Sequence, residues 1–144
     1  MSTTGAEANH FLTLCDLVGE LARRRYQAAE RCFSALGLNH TEARLLTLLH
    51  HQAGSASQDA LSAGLPVDRS NAGRALERLE RDGHIVRTKD GDDKRAKRVR
   101  LTPKGRRMVV EVAKLQTKMA MGFFGELTLV EAAAVVALLK KALP

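Results

Sequence analysis

The chain has 144 residues, of which 44% are hydrophobic and only 3% aromatic, with no tryptophan. This length suits one domain with a real core, and a core of Leu, Val and Ala favours helices packed on helices. The net charge of +7 at pH 7 favours an acidic partner, either nucleic acid or an anionic membrane surface. The polar N-terminus contains no secretory signal, and no apolar run is long enough to span a membrane, so we expect a cytoplasmic protein.

The positive charge is confined to one part of the chain. Residues 66–107 contain 14 Lys or Arg and 7 Asp or Glu, a net of +7, whereas the other 102 residues contain 9 of each. A charge serving only solubility would be spread along the chain. The basic window is therefore the part most suited to an acidic partner.

The first predicted element is a long helix. Apolar residues recur at three- and four-residue steps from Phe11 to Leu36, and Gly37 follows as a stop signal. A helix of this length exceeds what one small core can cover. We therefore expect part of it to pack against a second subunit.

Three shorter helices follow in the middle of the chain, each with a capping residue and a glycine stop. These signals are Asn39 or Thr41 with Gly54, Ser57 with Gly64, and Asp68 with Gly83. In the third helix, Ala72, Ala75, Leu76 and Leu79 mark one inward face. Its polar residues lie largely on the other sides.

The spacing then changes from the helical period to an alternation typical of strands. The segments HIVRTK and KRVRL predict two strands joined by the turn DGDD, with Val99 and Leu101 facing inward and Arg98 and Arg100 outward. Thr102 caps the next helix, with Pro103 at its first position. Thr128 and Glu131 form a capping box before a final helix.

Three short helices followed by a two-stranded hairpin is the order of a winged helix-turn-helix. The third helix would be the recognition helix in the major groove, and the hairpin would be the wing. The predicted fold is mainly α with a small β-hairpin wing, flanked by long helices at both ends.

The wing sequence DDKRAKRVRLTPKG resembles that of the MarR (multiple antibiotic resistance regulator) family. Asp93, Arg95, Val99, Leu101 and Thr102 fill its Asp-x-Arg-x-x-x-Val-x-Leu-Thr pattern, and SNAGRALERLERDGHIVR is similar to the recognition helix and the following strand. The likeness runs from about residue 36 to 107.

The resemblance implies a homodimer bound to double-stranded DNA at a pseudo-palindromic operator. Within a single domain, 1–144, it implies dimerisation helices at 9–37 and 103–144 and a winged DNA-binding module at 38–102. Most members of the family are repressors released by a small aromatic or anionic effector, or by oxidation. No cofactor, metal or membrane partner is expected.

The DNA-contacting residues are expected on three elements. Ser70, Asn71 and Arg74, with Arg69 beside them, are candidates for reading bases, the alternative being exposed residues that touch only phosphate. Ser57 and Gln58 suit phosphate at a helix N-terminus. Lys97 and Arg98 suit the DNA backbone. By resemblance, Arg95 enters the minor groove, oriented by Asp93.

Several residues keep two interpretations. Arg23 to Tyr26, RRRY, is either a solvated stripe or an anionic effector site, and Cys15 is either a small hydrophobe or a redox sensor. Gly73 stands where the family commonly has a larger residue, so it either allows closer approach to DNA or removes a base contact. The histidines lack zinc-ligand neighbours, and no catalytic motif indicates an enzyme. A non-specific architectural DNA-binding protein remains the alternative to a sequence-specific regulator.

Overall fold

The computed structural model describes residues 2–91 and 93–143, with the side chains of residues 5–89, 91 and 97–143. Helices make up most of this part of the chain, and they surround a small sheet. The elements in chain order are α1 (Ser2–Ser34), α2 (His40–His51), β1 (Ser55–Ser57), α3 (Gln58–Ala63), α4 (Arg69–Arg81), β2 (Ile85–Asp90), β3 (Asp93–Leu101), α5 (Pro103–Phe123) and α6 (Leu129–Ala142).

The predicted helix caps are confirmed, and the choice between Asn39 and Thr41 is settled. The Asn39 side chain accepts a hydrogen bond from the backbone N–H of Glu42 at 2.8 Å, whereas Thr41 lies inside α2. The side chains of Ser57, Asp68, Thr102 and Thr128 accept equivalent bonds at the starts of α3, α4, α5 and α6. Each cap satisfies an N–H group that the first turn of a helix leaves without a partner.

The buried core lies in the winged module. Its fully buried side chains include Leu45, Leu46 and Leu49 of α2, Leu76 and Leu79 of α4, Ile85 of β2 and Val99 of β3. The first helix contributes Ala29 and Phe33 near its C-terminal end, and α5 contributes Val109 and Val112. The described residues of α6 contribute none.

The sheet has one strand more than the sequence predicted. β1 pairs antiparallel with β3, with Ala56 opposite Val99, so the strand order is β1-β3-β2. A strand of three residues, Ser-Ala-Ser, is too short to show an alternation, and for this reason the sequence pattern missed it. The pairing places β3, the outgoing strand of the wing, in the centre of the sheet.

The first helix begins earlier than predicted, at Ser2 rather than near Phe11. The residues before Phe11 lack an apolar period, so no pattern marked them as helical. From Phe11 to Leu21 the large apolar side chains of α1 are between 43% and 70% exposed in the single chain. No helix in the described part of the chain is long and apolar enough to cross a membrane.

Candidate nucleic-acid interface

The two faces of α4 differ sharply in exposure. Ala72, Ala75, Leu76 and Leu79 are completely buried, as predicted. The candidate base readers Ser70, Asn71 and Arg74, and Arg69 beside them, are all exposed on the first half of the helix. Burial of the apolar face therefore fixes the helix on the core and leaves a polar, basic face open to a partner.

The exposed residues of α4 also contact one another. The Asp68 carboxylate accepts a hydrogen bond from the backbone N–H of Asn71 at 2.7 Å, and the Arg74 guanidinium donates to the side-chain oxygen of Asn71. Arg69 forms an ion pair with Asp59 of α3 at 3.6 Å, in which both side chains are about four-fifths exposed. Such an exposed pair is worth little, so Arg69 can exchange it for a phosphate.

Gly73 lies between these polar residues and is partly buried. A Cβ atom added there would meet no other atom within 4 Å. The space around Gly73 is therefore not required for packing within the chain.

The start of α3 lies next to the sheet. Ser57 Oγ accepts a hydrogen bond from the backbone N–H of Ala60 at 3.1 Å, and this capping role leaves the hydroxyl proton of Ser57 as a donor. Gln58 is half-buried, and its side-chain oxygen lies 3.5 Å from Nη1 of Arg87. These two residues occupy the N-terminal end of α3, where backbone N–H groups favour anions.

The wing carries the remaining candidates. Lys97 is exposed, whereas Arg98 is half-buried and its Nε donates to Ser55 Oγ at 2.9 Å. Val99 and Leu101 are buried, as the alternation predicted. The candidates Asp93 and Arg95 lie outside the residues whose side chains are described.

Besides the exposed pair of Arg69 and Asp59, two ion pairs with one largely buried partner hold α4 to the rest of the module, and sequence reasoning missed both. Nε of Arg78 lies 3.1 Å from a carboxylate oxygen of Glu42 in α2, and Nη2 of Arg87 in β2 lies 3.0 Å from Glu80. The hydrogen bond from Arg87 holds the pKa of the Glu80 carboxyl below its ordinary value. The partners lie 36 and 7 residues apart, and no local pattern signals such pairs.

Two adjoining cavities lie beside α1 and α2, and they share Arg25, His40 and Arg44. One, of about 380 Å³, is also lined by Tyr26, Thr41, Leu65, Pro66 and Val67. The other, of about 320 Å³, is also lined by Ala29, Phe33, Thr47, Gln116, Met119 and Ala120. The second cavity thus brings together side chains of α1, α2 and α5.

The residues of the RRRY segment lie in two different surroundings. Arg23 and Arg24 both pair with Glu20 on the surface of α1, whereas Arg25 and Tyr26 line the cavities. The ring of His40 lies 5.0 Å from that of Tyr26. Burial lowers the pKa of His40 despite the nearby Glu30 carboxylate.

Cys15 is exposed and Cys32 is partly buried, and both lie on α1. Their separation of 17 positions corresponds to about 25 Å along a helix, which excludes a disulfide within one chain. Among the described residues, no three His, Cys, Asp or Glu side chains come together in a metal-binding cluster.

Comparison with known proteins gives independent evidence for the class of protein. The model of the MarR family matches residues 36–96. The HTH-type transcriptional regulator PrsX of Escherichia coli is 30% identical over 95 residues, which cover 65% of this chain and 57% of PrsX. The chain thus spans about half the length of the curated relatives it matches.

Solved structures match over nearly the whole chain. The apo form of MarR from Escherichia coli is 26% identical and superposes with a TM-score of 0.82, covering 91% of this chain and 96% of MarR. BpsR of Bordetella bronchiseptica is 29% identical, with a TM-score of 0.71, covering 88% of this chain and 98% of BpsR.

The order of helices, the three-stranded sheet and the exposed basic face of α4 define a winged helix-turn-helix protein. Within that class, residues 36–96 are similar to the MarR family, and the fold is similar to that of MarR from Escherichia coli.

Proposed function

We propose that this chain is a homodimeric transcriptional regulator that binds a pseudo-palindromic operator in double-stranded DNA. The observation that carries the proposal is the exposed polar face of α4, in which Arg69, Ser70, Asn71 and Arg74 stand opposite four completely buried apolar residues. The net charge of +7 lies in the same segment, on α4, the wing and the start of α5. A relative of 26% identity, a variant of MarR, has been solved in complex with operator DNA.

Each proposed contact has a distinct role. Asn71 and Arg74 would read base edges in the major groove, with Arg69 and Ser70 beside them. Ser57, Gln58, Lys97 and Arg98 would hold phosphates and set the register of the protein on the duplex. Arg95, oriented by Asp93, would enter the minor groove, as the family pattern implies.

The dimer is supported by the apolar surface that a single chain leaves uncovered. Phe11, Leu14, Leu17 and Val18 of α1 are each between 48% and 70% exposed. In α6, Leu129, Val130 and Leu138 are between 64% and 91% exposed. Residues 9–37 and 103–144 would bury these faces against a second copy, which gives a particle of about 31 kDa from two chains of 15.7 kDa.

We further propose that the regulator is a repressor released by a small aromatic anion. Arg25 and Arg44 supply positive charge to the two adjoining cavities, and Tyr26, Phe33 and His40 supply aromatic walls. In the relative BpsR, 6-hydroxynicotinic acid regulates DNA binding. An aromatic carboxylate has the charge and the flat apolar ring that such a lining would select.

Binding of the purified protein to the intergenic DNA beside its own gene tests this function. The expected result is protection of two half-sites about 10 bp apart, with affinity that falls steeply as salt rises. Addition of 6-hydroxynicotinate or salicylate should lower the affinity, and Arg44→Gln should abolish that response without changing the dimer. Equal affinity for scrambled duplexes would assign the chain to architectural DNA-binding proteins. Loss of binding after peroxide, prevented by Cys15→Ser, would assign control to oxidation.

A further inference from the structure

We propose that Arg87 is a positioning residue for DNA recognition, which orients the side-chain amide of Gln58 so that its NH₂ group faces a DNA phosphate. The inference deepens the proposed function and rests on it. It concerns a residue of the wing strand β2 that makes its contacts inside the protein.

The side chain of Arg87 is buried among the elements that would touch DNA. Only 13% of it is exposed, so its guanidinium is poorly placed to reach a phosphate itself. Its Nη2 donates to Glu80 Oε1 at 3.0 Å, and its backbone N–H donates to Glu80 Oε2 at 3.2 Å. Both oxygens of one α4 carboxylate are thereby engaged by one residue of β2.

The contact of Nη2 with Glu80 holds one side of the guanidinium and offsets its charge, and the backbone contact holds the carboxylate beside β2. The hydrogen bond from Arg87 is also the main reason why the pKa of Glu80 is lowered, so the carboxylate stays ionised at neutral pH. Arg87 therefore supplies no free positive charge to the DNA-binding surface. Of its remaining donors, Nη1 approaches the start of α3, whereas the buried Nε has no hydrogen-bond partner among the described residues.

Nη1 of Arg87 approaches Gln58 Oε1 at 3.5 Å, at the outer limit of a hydrogen bond. A guanidinium has donors and no acceptor, and the amide of glutamine has one end of each kind. The amide must then turn its oxygen toward Arg87 and its NH₂ group away from it. Gln58 is the first residue of α3, so the NH₂ group is a side-chain donor at the start of that element.

The chain of contacts runs from Glu80 in α4 through Arg87 in β2 to Gln58 in α3. It links the recognition helix, the wing and the start of α3 through one planar group. Lysine cannot replace arginine here, because a single ammonium does not reproduce the fork that contacts two partners at fixed angles.

The test compares Arg87→Lys, Gln58→Ala and the double variant in the full-length protein. Fluorescence anisotropy would measure affinity for the operator found by the protection experiment, at several salt concentrations. Circular dichroism would confirm that each variant is folded at the temperature of the assay. Arg81→Lys is the matched control, because Arg81 is an exposed residue at the end of α4 whose ion pair is with the adjacent Asp82.

Arg87→Lys and Gln58→Ala should each lower operator affinity about 5- to 20-fold, the range for loss of one specific hydrogen-bonding contact. The double variant should bind about as weakly as the weaker single variant, since both changes remove the same contact. The salt dependence should stay that of the wild type, because no phosphate-binding charge is lost. Arg81→Lys should change affinity less than about twofold.

Three results would overturn the inference. A folded Arg87→Lys protein that binds as tightly as wild type would make Arg87 merely structural. If the affinity loss of the double variant were the product of the two single losses, Arg87 would not act through Gln58. A further variant, Arg87→Met, removes the charge as well as the fork, and a reduced salt dependence of its operator binding would make Arg87 itself a phosphate contact. If the wild type showed no preference for any operator, the proposed function would fail first and the inference with it.

Discussion

The carboxylate of Glu42 and the guanidinium of Arg78 lie 3.1 Å apart, and they join α2 to the recognition helix across 36 positions of sequence. Glu42 is almost completely buried, with 5% of its side chain exposed, whereas 38% of the Arg78 side chain is exposed. A carboxylate so buried is stable only when a cation or hydrogen-bond donors accompany it. The pair therefore anchors the recognition helix to the module behind it.

Arg78→Ala should lower the free energy of unfolding by about 1–3 kcal/mol, because it leaves the buried Glu42 carboxylate without its cation. Urea unfolding at pH 7 measures the change. The control Arg81→Ala removes an arginine from the same helix that is 72% exposed, and it should stay within about 0.5 kcal/mol of wild type. Equal losses in the two variants would show that the Glu42 pair adds nothing specific.

The N-terminal turn of α5 packs against the residue before β2 with no space for a side chain. A Cβ atom on Gly105 would lie 2.0 Å from the carbonyl oxygen of His84, which belongs to the backbone and cannot turn aside. Gly105→Ala should therefore destabilise the protein by about 1–3 kcal/mol or more. Thermal unfolding would measure this loss.

Gly73→Ala is the matched control, since it makes the same change inside α4 where the new Cβ meets nothing within 4 Å. It should stabilise the helix by about 0.5–1 kcal/mol. A stabilised Gly73→Ala protein with weaker operator binding would show that DNA approaches the helix closely at Gly73. Unchanged operator binding would show that DNA does not approach the helix closely at Gly73, and that the glycine only removes a base contact.

Stability should fall as the solution becomes acidic, in part because of His84. Burial lowers the pKa of this imidazole, the nearby Lys104 lowers it further, and Asp82 and Glu42 oppose the shift. Below the ordinary histidine pKa of about 6.5 the unfolded chain binds a proton that the folded chain resists, so stability decreases as pH falls through that value. Above it both states are neutral, and His84 adds no pH dependence.

Urea unfolding of wild type and His84→Leu at pH 7.5, 6.5 and 5.5 checks this effect. The variant should lose less stability than wild type between pH 6.5 and 5.5. His40, whose pKa burial also lowers, should account for part of the remaining decrease. Parallel curves for wild type and His84→Leu would contradict the assignment.

Substitutions in the wing should distinguish side chains that contact DNA from side chains that stabilise the fold. Arg95→Ala should weaken operator binding by about 1–3 kcal/mol and leave the melting temperature nearly unchanged, as expected for an arginine that only touches DNA. Asp93→Ala should cause a similar but smaller loss. Val99→Asp should instead unfold the protein more readily, because Val99 is completely buried in the central strand. An Arg95→Ala protein with full operator affinity would remove the wing from the proposed interface.

Local sequence signals predicted most of the fold. Local capping needs no distant partner, because each capping side chain accepts a hydrogen bond from the backbone N–H three positions ahead. The capping residues are Asn39, Ser57, Asp68, Thr102 and Thr128. The inward face of α4 and the buried side of β3 followed from periods of 3.6 and 2 residues. The confinement of the net positive charge to the basic window, residues 66–107, could also be read from the sequence alone.

The tertiary structure decided what depends on residues far apart in the chain. β1 exists because Ala56 meets Val99 across a sheet, and Glu42 is buried because Arg78 faces it. One cavity beside His40 arises where α1, α2 and α5 meet. Arg87 contacts Glu80 and Gln58 only once α4, β2 and α3 are packed together. An apolar period or a capping residue depends on neighbours a few positions away along the chain, so the sequence shows it. The partner of a buried charge depends on how distant elements pack, so only the tertiary structure shows it.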